Sequence, residues 1–282
     1  MIKLACMTWP YTEYAFERAL QGIAAAGFRY VAFGLPHEGK EVPERADEAE
    51  AAALVRQLDR YGLQATMLVG TPWLAPGQPI ERAARLFAFA KMVGAAEVIS
   101  LGTWGYREFP DEPLAADERA AADEAFAEQL RLVAAEAECA SVTVTLKPHT
   151  GNTATADILK RTLAAIGSPA VKASYDPGNV RYYEGIDPVY DVSAIAEQTV
   201  SLIAKDHRGP RGNGDFPIPG QGDVDFAAIL RKLHAVEFAG QVVVERIDGT
   251  DNSLRADEID RRIAEARSGL AKLLAEAGFA VE

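Results

Sequence analysis

Two short runs each end on a lysine and a histidine two residues apart: VTVTLKPHTGN carries Lys147 and His149, and VSLIAKDHRG carries Lys205 and His207. Asp176 follows the run VKASY, and Glu245 closes QVVVE. An imidazole ligates metals or moves protons, a carboxylate does either, and a buried ammonium holds an anion or, once neutral, acts as a base. Side chains alternate along a strand, so parity places Thr143, Thr145, Lys147 and His149 on one face and Ile203, Lys205 and His207 on another. If these runs are neighbouring strands, His149, Asp176, His207 and Glu245 converge. That mixed nitrogen and oxygen set suits a divalent ion of the Mn, Mg, Co, Fe, Ni or Zn type, with positions left for water or substrate oxygens. The alternative for Lys147 and Lys205 is a buried ion pair with Asp176, Asp206 or Glu245. For each histidine it is a structural hydrogen bond.

The elements that must position these groups repeat along the whole chain. Apolar, β-rich runs begin at Ile2, Tyr30, Leu63, Glu97, Val142, Val171, Val200 and Gln241. Between them lie Ala-, Leu-, Arg- and Glu-rich stretches such as AFERALQGIAAAG and DILKRTLAAIG, with apolar residues at helical spacing and a closing glycine. Eight consecutive β/α pairs predict an α/β protein, a single-domain (β/α)8 TIM barrel over residues 1–282. A doubly wound sheet is the runner-up, but no GxGxxG follows the first run. Barrel chemistry collects where strands end. Here those ends hold Trp9, Trp73 and Trp104, together with His37, His149 and His207. The tryptophans offer apolar walls for a sugar ring or pack the loops. His37 is placed to reach substrate hydroxyls, or to lie in a surface loop. The Gly- and Pro-rich segment after His207 carries Arg208 and Arg211, which would grip a phosphate or carboxylate.

Composition narrows the partners. With 29 Lys and Arg against 41 Asp and Glu, the net charge is −12, and a surface that negative argues against nucleic-acid binding. Two cysteines, Cys6 and Cys139, far apart and without CxxC spacing, fit a reducing cytoplasmic setting. No run reaches membrane-spanning length and no leader is apparent, so a membrane partner is not expected.

The stretches SYDPGNVRYYEG, KDHRG followed by PGQGDVDF, and VVVER resemble the xylose-isomerase-like TIM barrels of the sugar phosphate isomerase/epimerase superfamily, in order and spacing over nearly the whole chain. The resemblance implies a small-molecule carbohydrate substrate. It also implies a divalent metal held by Glu, Asp, His and Glu from strands five to eight, and it admits homo-oligomers. Asp176 and Glu245 match two ligand positions. At the other two, Lys147 stands for the usual Glu and Ile203 for the usual His, with His149 and His207 as displaced candidates. The implied chemistry is proton abstraction next to a carbonyl in a metal-dependent isomerase or epimerase, with Lys147, Glu245 and Lys205 as catalytic candidates. A keto-sugar lyase or dehydratase, and a catalytically reduced sugar-binding barrel or subunit, are the competing expectations.

Overall fold

The computed structural model describes residues 1–251 and 253–282. Eight parallel strands close a barrel in sequence order: β1 Lys3–Met7, β2 Tyr30–Phe33, β3 Gln64–Val69, β4 Glu97–Leu101, β5 Thr143–Lys147, β6 Val171–Tyr175, β7 Thr199–Ala204 and β8 Gln241–Val244. β8 closes on β1 with Leu4 opposite Val242. All eight expected strands are present, each shorter than its apolar run because the polar rim residues leave the ladder.

Around the barrel run α1 Phe16–Ala25, α2 Glu48–Tyr61, α3 Ile80–Val93, α4 Ala116–Ala140, α5 Ala156–Ile166, α6 Phe226–Ala235 and α7 Ala256–Glu276. Side-chain caps start several of them, as where Asp47 accepts from the Glu50 amide at 2.8 Å and Asp225 from the Ala228 amide at 2.8 Å. Gly167 ends α5 at φ 74°, the left-handed C′ conformation that the closing glycine predicts. The sixth unit departs from the expected eight pairs. Between β6 and β7 the chain forms only short turns, Pro177–Asn179, Val180–Glu184 and Pro188–Asp191, before further single turns. Gly185 at φ 67° and Pro188 interrupt any longer helix there.

The barrel carries two apolar cores. The outer one packs strand residues such as Val142, Val144 and Leu146 against the helices, as parity predicts. The inner one is a layer of Ala5, Met7, Tyr30, Ala32, Met67, Ile99, Ile203 and Val243 across the barrel axis. This layer separates a polar set at the strand starts from another at the strand ends. Among the described residues no helix is long and apolar enough to cross a membrane.

Candidate active site

At the strand ends, Lys147, Lys205, Asp176 and Glu245 form one buried ring of charges. Lys147 Nζ donates to Glu245 Oε2 at 2.6 Å and lies 3.1 Å from Asp176 Oδ2. Lys205 Nζ lies 3.1 Å from Glu245 Oε1 and 3.3 Å from Asp176 Oδ2, and donates to Asn179 Oδ1 at 2.9 Å. Two ammoniums and two carboxylates thus cancel. A lone ion buried this deeply would cost several kcal/mol, which mutual attraction offsets only at such short range. Burial disfavours the Lys147 charge, but the Glu245 and Asp176 carboxylates outweigh it and raise its pKa. At Lys205 burial dominates, and although the two carboxylates favour the charge, Lys147 and Arg246 oppose it, leaving the pKa lowered. Burial pushes Glu245 up, and the two ammoniums overcome that and hold it below the usual carboxylate range.

Local sequence explains the ring. Lys147 continues the inward parity of Thr145 on β5, and Lys205 continues that of Ile203 on β7. Asp176 caps the Pro177–Asn179 turn by accepting from the Asn179 amide at 2.9 Å, which fixes its free oxygen toward the lysines. Gly178 is needed there, since a Cβ would lie 2.6 Å from the Lys205 carbonyl oxygen and 2.7 Å from its Cγ. Asn179, whose amide also donates to the Pro148 carbonyl at 2.8 Å, anchors Lys205. Composition and spacing did not single it out; its only signal was its place in SYDPGN.

The ring faces a cavity of about 330 Å3, whose lining includes Lys147, Lys205, Glu245, His149, Tyr183 and Trp9. Trp9, Glu245 and Arg246 also border a second cavity of about 660 Å3. His149 reaches the first cavity from the rim, with its ring 4.4 Å from that of Tyr183 and 5.3 Å from that of Trp104, centroid to centroid. Burial, then the two lysine charges, lowers its pKa to about 3, so its imidazole is neutral at physiological pH. Trp104 is 44% exposed at the edge of an aromatic cluster with Tyr106, Phe109 and Tyr183. Tyr183 was missed in the sequence, where only its place in VRYYEG marked it.

Other expected site residues lie elsewhere. His207 leaves the axis because the Lys205 amide bonds back to the Ile203 carbonyl at 2.9 Å, a turn that ends the strand alternation. Its Nε2 donates to the Asn213 carbonyl at 2.7 Å, and its ring packs on Tyr182 and Phe216. His37 is buried too. Its Nδ1 donates to the Tyr11 and Tyr14 carbonyls at 3.0 Å and its Nε2 accepts from the Thr8 hydroxyl at 3.0 Å, so it ties loops together and does not meet substrate. Trp73 is in the outer core under the Arg82 guanidinium, 4.7 Å from its ring centroid. Arg208 pairs with Asp215 at 3.1 Å, and Arg211 donates to the Tyr106 hydroxyl at 2.7 Å; neither lines the first cavity. The long loop they belong to is organised by Asp206, which accepts from the amides of His207, Gly220, Gly222 and Val224.

The displaced metal set is therefore corrected. His207 turns to the loop, Glu245 accepts from Lys147 at 2.6 Å, and the buried Asp176 Oδ2 lies 3.1 and 3.3 Å from the Lys147 and Lys205 ammoniums. Among the described residues no group of three or more His, Cys, Asp or Glu is placed to hold an ion. A dication set among two ammoniums would be repelled by both. These donors do not fit a divalent metal, and the ammonium pair occupies its electrostatic place.

The closed eight-stranded barrel and its family profile define the class of the protein. The profile of the xylose isomerase-like TIM barrel family matches residues 20–275, and the chain belongs to that family. Among solved structures it is similar to a xylose isomerase domain protein from Alicyclobacillus acidocaldarius subsp. acidocaldarius, 21% identical over 99% of this chain and 100% of that one, with a TM-score of 0.75. It is also similar to an L-ribulose 3-epimerase, 17% identical over 98% and 96% of the two chains with a TM-score of 0.72. The IolI protein with a bound zinc atom is 14% identical over 98% and 99%, with a TM-score of 0.74. At these identities the likeness carries the fold alone. No curated protein matches the chain in sequence.

Proposed function

We propose that the chain is a sugar isomerase or epimerase that moves a proton at the carbon next to a carbonyl, with Lys147 and Lys205 supplying the positive charge at the reacting oxygen. The observation that carries this reading is the ring of two lysines and two carboxylates at 2.6–3.3 Å facing a cavity of about 330 Å3. The likeness in fold to sugar epimerases, an L-ribulose 3-epimerase among them, supports a ketose as the substrate class. Lys147 stays charged, and its N–H groups would hold the carbonyl oxygen as negative charge develops there, in a dry site where such donors act most strongly. Glu245 and the neutral form of Lys205 are the basic groups in reach of the adjacent carbon. His149 and Trp104 form the rim, where an imidazole and an indole face suit hydroxyls and C–H groups of a sugar.

Incubation of the purified protein with a panel of ketoses in deuterated water tests this: one of them should take up deuterium at the carbon beside its carbonyl. No uptake into any would leave only a sugar-binding barrel. Uptake that persists after exhaustive chelation, in protein free of bound metal, separates lysine-based chemistry from the metal-dependent form. A second reading, elimination from a keto-sugar, is favoured by the larger adjoining cavity, which shares Trp9, Glu245 and Arg246 and has room for a departing group. Release of an unsaturated ketone from a keto-glycoside, seen by its ultraviolet absorbance, would select it.

A further inference from the structure

The two lysines of the ring are held differently. Lys147 makes the short charge-assisted contact, 2.6 Å to Glu245. Lys205 donates at 2.9 Å to a neutral amide oxygen, Asn179 Oδ1, while its carboxylate contacts are longer at 3.1 and 3.3 Å. Its stem is pinned by the close approach of Gly178, so the amine stays aimed at the cavity. Ile203 packs beneath it in the inner core, and the Phe216 ring centroid lies 6.0 Å from its nitrogen. A desolvated lysine beside a second cation is the arrangement that frees an amine for attack on carbonyls.

We propose that Lys205 is a covalent catalyst that carries a keto-sugar as a Schiff base, with Lys147 as its acid and Glu245 as the base. The inference rests on the proton-transfer reading above and explains a difficulty within it. A carboxylate that two ammoniums hold weakly basic is a poor match for a C–H beside a neutral ketone, whereas the C–H beside an iminium is far more acidic. The Lys205 amine adds to the carbonyl carbon, and the C=O π pair moves to oxygen, which Lys147 protonates; the new nitrogen then passes one proton to the Lys147 amine. Lys147 gives that proton to the hydroxyl, which leaves as water while the nitrogen lone pair forms C=N+. Glu245 takes the proton from the neighbouring carbon; that bond pair forms the enamine C=C and the iminium π pair returns to nitrogen. Return of the proton to the other face of that carbon restores the iminium, and addition of one water, with its spare proton passing to Lys147, releases the epimerised ketose and the free amine.

The test treats the full chain with dihydroxyacetone, D-fructose and D-tagatose, each with sodium cyanoborohydride, and maps adducts by peptide mass spectrometry. With at least one ketose, the peptide bearing Lys205 should gain the mass of that ketose less one oxygen atom. Its labelling should exceed that of the exposed Lys272 by about tenfold or more, as expected of an activated amine. Lys205→Met should lose this adduct, and a Lys147→Met protein should keep it at reduced rate. The wild-type map stands by itself if either variant fails to fold. No adduct on Lys205 with any ketose, or labelling no greater than at Lys272, overturns the proposal. Deuterium uptake without an adduct leaves the proton-transfer reading in place and removes the Schiff base, while an adduct without uptake does the reverse.

Discussion

At the mouth of the barrel two carboxylates are met by two ammonium groups, whereas at the opposite end of the same interior the buried Glu97 is met, among the described residues, by neutral donors. The hydroxyls of Thr145 and Ser201 each donate to Glu97 Oε1 at 2.6 Å, and the Gln241 amide donates to Oε2 at 2.8 Å. The physical outcomes are opposite. Burial raises the Glu97 pKa and its hydrogen bonds only partly restore it, while at Glu245 the lysine charges win over burial and lower it. One end of the tube is a structural plug, and the other keeps four ions in readiness beside a cavity. The inner apolar layer keeps the two sets apart. A buried polar group is thus not in itself a sign of catalysis; what distinguishes the mouth is paired positive charge that borders a cavity.

Four experiments test this contrast. The largest effect is expected from Lys205→Met, which should lower the rate of solvent exchange into the substrate about 10²- to 10⁴-fold, the usual contribution of a positioned proton-transfer group. Glu97→Gln, at the far end, should leave that rate within about twofold, because it touches nothing in the cavity. Equal losses in both variants would erase the distinction between the ends.

Next in size, Glu245→Gln leaves two buried ammoniums on one carboxylate and should cost about 3–5 kcal/mol in urea denaturation at neutral pH. A cost near zero would mean that the ring is solvated.

The pH dependence of stability should then have opposite signs at the two ends. A carboxylate with a lowered pKa binds fewer protons folded than unfolded, so the Glu245 contribution is present above about pH 4.3 and is lost as pH falls through its folded value. A carboxyl with a raised pKa binds more protons folded, so the stability of wild type relative to Glu97→Gln should fall as pH rises above about 4.3. Denaturation curves of the three proteins across pH read this directly, and parallel slopes would refute it. The smallest effect concerns His149. Its folded pKa of about 3 means that the fold loses stability as pH falls from about 6.5, the ordinary imidazole value, toward 3. His149→Gln should flatten that limb, and an unchanged limb would show that the imidazole is not buried as described.

The fold was legible because eight apolar runs alternating with helical patterns leave few other ways to bury both. The sixth helix was not, since Gly185 and Pro188 break a segment whose composition otherwise resembles its neighbours. At the site, parity was a sound guide while the ladder lasted: Thr145 and Lys147 face the axis, as do Ile203 and Lys205. It failed one step later, where the Lys205 amide turns back to Ile203 and sends His207 into the loop. Trp73 and His37 show the same limit, because a strand-end position does not say whether a side chain turns into the mouth or under a helix.

The order of β/α units and period-two alternation are local properties of the chain, and they were enough for the barrel, its eight strands and the inward parity of Lys147 and Lys205, but the convergent set they offered also held His149 and His207. Only the tertiary structure decided that Lys147 and Lys205 sit between Asp176 and Glu245 where a dication would otherwise balance the carboxylates. Which charges neutralise one another depends on distances of about 3 Å across three different strands, and that is set by closure of the barrel rather than by any one run of residues.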